Sequence, residues 1–144
     1  YTLSLHDALP IYCIFSYEAK IAGDCEIADH AIFSSSVIQK ANTRVGTAAY
    51  ITAGTTFARD IPPYIVTGGN PIAYDSVNTS ICRELGISEK VIKHIANAYR
   101  LVFHGQTSVF DACIQVNDQV PDSPEIRNIV EFIQKTEQGI ICKL

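Results

Sequence analysis

The chain has no methionine, no tryptophan, no CxxC pair, and no apolar run approaching the roughly 18 residues that cross a bilayer. Without such a run, an integral membrane helix is excluded. Without CxxC, neither a zinc knuckle nor a dithiol redox motif is supported. The five cysteines, Cys13, Cys25, Cys82, Cys113 and Cys142, are odd in number and scattered, as expected of reduced thiols in a cytoplasmic protein. Basic residues do not predominate either. Eleven Lys and Arg against fifteen Asp and Glu give a net charge of -4, which leaves no electrostatic footprint for nucleic acid. A hydrophobic share of 47% with 18% charged residues excludes general disorder. No basic n-region followed by a long apolar stretch marks a secretory signal.

What is present is a period of six. From Phe15 onward the sequence divides into FSYEAK, IAGDCE, IADHAI, FSSSVI, QKANTR, VGTAAY, ITAGTT and FARDIP. The first place holds Phe15, Ile21, Ile27, Phe33, Gln39, Val45, Ile51 and Phe57, with Gln39 the one polar exception. The fifth holds Ala19, Cys25, Ala31, Val37, Thr43, Ala49, Thr55 and Ile61, all small or β-branched. Neither the 3.6-residue helical period nor the strand period of 2 sustains a strict six. A triangular solenoid does, with one short strand and one corner per hexad. The expected fold is therefore a parallel β-helix of two to three turns, with the first place inside the lumen, followed by a C-terminal helical domain.

The organisation follows from where the period stops. Residues 1–12 do not fit the hexads and are expected to be a leader foreign to the protein, so the chain is expected to be a C-terminal fragment. Residues 13–62 form the β-helix. Residues 63–76, rich in Pro and Gly, form a connector that ends the solenoid. Residues 77–144 form the helical domain, a plausible cap for the solenoid's open end. Helices are expected over 77–85, from Ser88 to before Gly105, over 108–120 with Phe110, Cys113 and Val120 inward, and from Ser123 to near Gly139.

Several stretches carry a resemblance. Ile21-Ala22-Gly23-Asp24-Cys25, Asp60-Ile61-Pro62-Pro63-Tyr64, Gly69-Asn70-Pro71-Ile72-Ala73-Tyr74, Val77-Asn78, Ala96-Asn97-Ala98-Tyr99-Arg100 and Gln138-Gly139-Ile140-Ile141 are the matching segments. Together they resemble the acyl-carrier-protein–UDP-N-acetylglucosamine O-acyltransferases of lipid A biosynthesis. The resemblance implies a cytoplasmic homotrimer of left-handed parallel β-helices with active sites between neighbouring subunits. Its partners would be acyl carrier protein and UDP-N-acetylglucosamine, and it would need neither a cofactor nor a metal. A His acts as general base on the sugar 3-hydroxyl, which attacks a 3-hydroxyacyl thioester, while a backbone amide holds the oxyanion.

The chain departs from that pattern where the chemistry lies. The family motif before Asp-Cys places a His where this chain has Gly23, and another where it has Lys20. Asp24, which would orient the base, remains, and an Asp is equally a good corner residue. The resemblance also implies about one coil of roughly 18 residues missing before the Asp60 motif. Gly69, Asn70, Asn78 and Arg83 fall at sugar-nucleotide-binding positions, with Glu84 and Leu85 where further basic residues are expected. Arg83 and Glu84 read without the family are surface charges. Of the four histidines, only His30 lies on the repeat. It is a candidate substitute base, and one His cannot form the three-His zinc site of hexapeptide carbonic anhydrases. Lys40, Arg44 and Arg59 are scattered basic residues, conceivable as a docking surface for an acidic carrier protein. Two alternatives to the acyltransferase remain: a non-catalytic hexapeptide module that trimerises or binds, and an acetyl-CoA-dependent relative, against which the Gly69 and Asn97 segments argue.

Overall fold

A computed structural model describes residues 13–141, and the expected leader lies outside them. Each hexad forms one two-residue strand and one corner. Strands β1 (Ile14–Phe15) to β8 (Thr56–Phe57) follow at six-residue intervals. Parallel pairing runs β1-β4-β7, β2-β5-β8 and β3-β6, giving three faces of a prism. Partners such as Phe15↔Phe33 and Phe33↔Ile51 are one 18-residue coil apart. The first-place side chains stack inside as expected. Phe33 is fully buried between Phe15 and Phe57, with ring centroids 5.1 and 6.4 Å away.

The fourth place of the first seven hexads sets the corner. Glu18, Asp24, His30, Ser36, Asn42, Ala48 and Gly54 all have φ between 58° and 75°. That left-handed conformation costs a side-chain-bearing residue about 1–2 kcal/mol, and least for Asn, Asp and Gly. Exposed Glu18 is the poorest fit. Glu18→Asn is expected to raise the unfolding free energy by about 0.5–1 kcal/mol in urea titration.

The corners stack into three edges joined by backbone hydrogen bonds. The first edge holds 17–18, 35–36 and 53–54, the second 23–24 and 41–42, and the third 29–30, 47–48 and Tyr64. At Pro62–Tyr64 the chain turns across the end of the solenoid. It passes so close to Gly46 that a Cβ there would sit 2.4 Å from the Pro63 nitrogen, so only glycine fits. The expected connector is in fact a hairpin, β9 (Ile65–Gly68) and β10 (Ala73–Val77). Strand β9 extends the first face by pairing with β7, which completes the third turn.

Four helices follow: α1 (Thr79–Glu84), α2 (Glu89–His104), α3 (Val109–Gln119) and α4 (Pro124–Gln134). Ser88, Ser108 and Ser123 cap α2, α3 and α4 by accepting from the backbone N–H three residues on. Two expectations are corrected. Phe110 is 56% exposed, because α3 buries Ala112, Cys113 and Val116 instead, and α4 ends at Gln134 rather than near Gly139. The buried Tyr99 hydroxyl donates to Pro63 O, and Tyr74 stacks on Phe103 at 4.4 Å, tying α2 to hairpin and solenoid.

Helix α4 lies against the third face. The Arg44 guanidinium packs over the Phe132 ring at 4.2 Å and donates to Phe132 O, and Thr136 Oγ1 donates to Asp60 Oδ2. Lumen and helical layer thus share one apolar core.

Candidate functional site

The structure spreads the sequence-derived site residues over three edges. Gly23 and Asp24 occupy the second edge, where Asn42 N donates to Gly23 O. Asp24 is exposed, with φ 59°, and accepts no hydrogen bond from any described residue. A Cβ built on Gly23 meets nothing within 4 Å, and its backbone is outside the left-handed region, so this corner would admit a larger side chain without strain. His30 sits on the third edge, not beside Gly23. Behind the second edge, the buried Cys25 thiol donates to Lys40 O at 3.2 Å.

Gly69 and Asn70 form the hairpin tip, which rests on the first edge. Asn70 Nδ2 donates to Gly54 O and Oδ1 accepts from Thr56 N, at 3.1 and 3.3 Å, so the amide clips the tip to the solenoid. Asn70→Ala is expected to cost about 1 kcal/mol in urea titration. Asn78 touches the third edge. It is buried, its Nδ2 donates to Ala48 O at 2.9 Å, and its backbone N–H donates to Tyr64 O.

Arg83 projects from α1, is exposed, and pairs with Glu89 at 2.6 Å. The hydrogen bond and charge of Glu89 raise the Arg83 pKa, and Arg83 in turn holds the Glu89 carboxyl below its usual range. Asp24, Asn70, Asn78 and Arg83 therefore do not converge on one point within a single chain.

Three thiols, Cys13, Cys82 and Cys113, are not poised for nucleophilic work. Burial pushes Cys82 up to about 11, and it also raises Cys13 and Cys113. These shifts carry a stability consequence. Between the unfolded value of 9.0 and the folded value near 11, the unfolded chain holds fewer protons at Cys82. Stability therefore falls as pH rises through that window, and buried Tyr99, shifted in the same direction, adds to the fall. Thermal melts at rising pH should show Tm dropping from about pH 9 upward, and Cys82→Ala should shrink the drop.

Sequence reading missed a groove of about 600 Å³ between the α2 C-terminus, the α3 N-terminus and the segment after α4. Val102, Phe103, Phe110 and Ile140 line it, with Arg59 at its rim. The Asp60 motif is legible in the sequence, but its role is not: Asp60 is a buried carboxylate that joins the solenoid to the C-terminal segment. Among the described residues, no group of three or more His, Cys, Asp or Glu is arranged to hold a metal ion. No described helix is long and apolar enough to cross a membrane.

Residues 60–141 match the family model described as UDP N-acetylglucosamine O-acyltransferase, domain 2. An acyl-carrier-protein–UDP-N-acetylglucosamine O-acyltransferase from Burkholderia lata is 28% identical over 134 residues, covering 90% of this chain and 51% of the relative. The crystal structure of a UDP-N-acetylglucosamine acyltransferase from Bacteroides fragilis is 43% identical. It superposes with a TM-score of 0.88 over 90% of this chain and 51% of that one. The Acinetobacter baumannii structure, 24% identical with a TM-score of 0.86 over the same shares, shows the same fold. The hand of the solenoid is accordingly left, and the chain spans about half the length of these relatives.

Proposed function

The chain belongs to the UDP-N-acetylglucosamine O-acyltransferase family, and from that premise we propose that it serves in moving a 3-hydroxyacyl group from acyl carrier protein to the 3-hydroxyl of UDP-N-acetylglucosamine. The family match over 60–141, together with the 43% identical fold, is the observation that carries this reading. In the proposed reaction a base takes the sugar hydroxyl proton and the oxygen attacks the thioester carbonyl. The carbon–sulfur bond then breaks, and the carrier's thiol leaves with a proton. The base belongs at the Gly23 corner, with Asp24 beside it to orient an imidazole. Gly69, Asn70, Asn78 and Arg83 are the proposed sugar-nucleotide side. Because Gly23 has no side chain to take that proton, turnover by this chain is proposed to be impaired.

The proposed working form is a homotrimer in the cytoplasm. On each strand the residue before the lumen position faces outward. On the first face these residues are Ile14, Ile32, Tyr50 and Val66, an apolar stripe in pairing register. The second face carries Lys20, Ile38 and Thr56, and the third carries Glu26 and Arg44, with Arg44 packed against Phe132 of α4. One apolar face per chain suits a closed three-fold ring. Sedimentation equilibrium is expected to give the mass of three chains, reduced to one by Tyr50→Glu. A cooperatively melting monomer would contradict the ring.

A second reading, a trimeric module that binds or scaffolds without turnover, is favoured by Gly23 and by the engagement of Arg83 with Glu89. Calorimetric titration separates the two. Saturable binding of UDP-N-acetylglucosamine and of hydroxyacyl carrier protein is expected for the acyltransferase. A trimer that binds neither is the scaffold.

A further inference from the structure

Inside the β-helix, Gln39 occupies a first-place position stacked in register between Ile21 and Phe57 and is 1% exposed. Its Nε2 donates to Thr43 O at 3.2 Å and to Thr43 Oγ1 at 3.0 Å. These two bonds fix the sense of the amide. Turned over, Oε1 would face the Thr43 carbonyl, acceptor against acceptor. Oε1 therefore points away from Thr43 and has no partner among the described residues. Leaving a buried carbonyl acceptor bare costs a large fraction of a domain's stability. Thr55, whose backbone pairs with Ile38 beside Gln39, is fully buried as well, and its hydroxyl has only a 3.4 Å contact to Thr52 Oγ1.

We infer that the lumen holds one bound water at this level, donating to Gln39 Oε1. Buried waters serve otherwise unpaired polar groups in this way. Gln39 is then a built hydration site inside an otherwise apolar column, and its polar side chain is satisfied on both sides. A high-resolution crystal structure of the whole chain tests this. The expected result is a solvent peak about 2.7–3.0 Å from Gln39 Oε1, lost in Gln39→Met. A lumen with no such peak in the unaltered protein overturns the inference, as does a peak that persists in Gln39→Met. Should Gln39→Met fail to fold, the unaltered protein alone gives the answer.

Discussion

Asp60→Ala should lower the unfolding free energy by about 3–5 kcal/mol, the largest loss expected from any single polar side chain in the molecule. Asp60 is 1% exposed. Its carboxylate accepts from Arg44 N at 2.8 Å and from Thr136 Oγ1 at 2.6 Å, with Arg44 Nη1 at 3.9 Å. Its backbone also pairs with the C-terminal segment, donating to Gly139 O and accepting from Ile141 N. Removing the carboxylate leaves two part-buried donors, Arg44 N and Thr136 Oγ1, without their acceptor at the junction of solenoid and helices. Asp60→Asn keeps the shape and one acceptor and should cost less, about 1–3 kcal/mol, so the effect stays measurable even if the alanine variant does not fold. Urea titration reads both. A double-mutant cycle with Arg44→Ala should show coupling, and losses near zero would remove Asp60 from its place as the link between the two layers.

This junction was illegible in the sequence because its members are far apart in the chain. Asp60 and Thr136 are 76 residues apart, and nothing local marks Thr136. The hexads, in contrast, were readable because each repeats one local arrangement: a lumen residue, a small residue at the fifth place and a corner. The starts of α2, α3 and α4 at Ser88, Ser108 and Ser123 are readable for the same reason. Phe110 was misjudged because apolar character alone does not say which face of α3 turns inward. The buried face is decided by α2 and α4, which pack on Ala112, Cys113 and Val116. The hairpin was read as a connector because its Pro and Gly content signals turns, whereas β9 is held by pairing to β7 across the solenoid. For the candidate site, the resemblance names positions only. Their distribution over three edges is not legible in the sequence, since it follows from the 18-residue coil and from where the hairpin tip lands.

The second large effect concerns chemistry. A general base contributes about 10²–10⁴-fold to a proton-transfer step. Gly23 has open space where a Cβ would be and an unstrained backbone, and Asp24 follows it on the same corner. An imidazole placed there can reach outward from the second edge with a carboxylate beside it. The most direct measurement is the rate of thioester loss from 3-hydroxyacyl carrier protein, with and without UDP-N-acetylglucosamine, for the unaltered chain and for Gly23→His at matched stability. The account predicts sugar-dependent turnover in Gly23→His exceeding that of the unaltered chain by about 10²–10⁴-fold. Equal rates in the two proteins, whether both fast or both absent, would contradict the placing of the missing base at Gly23.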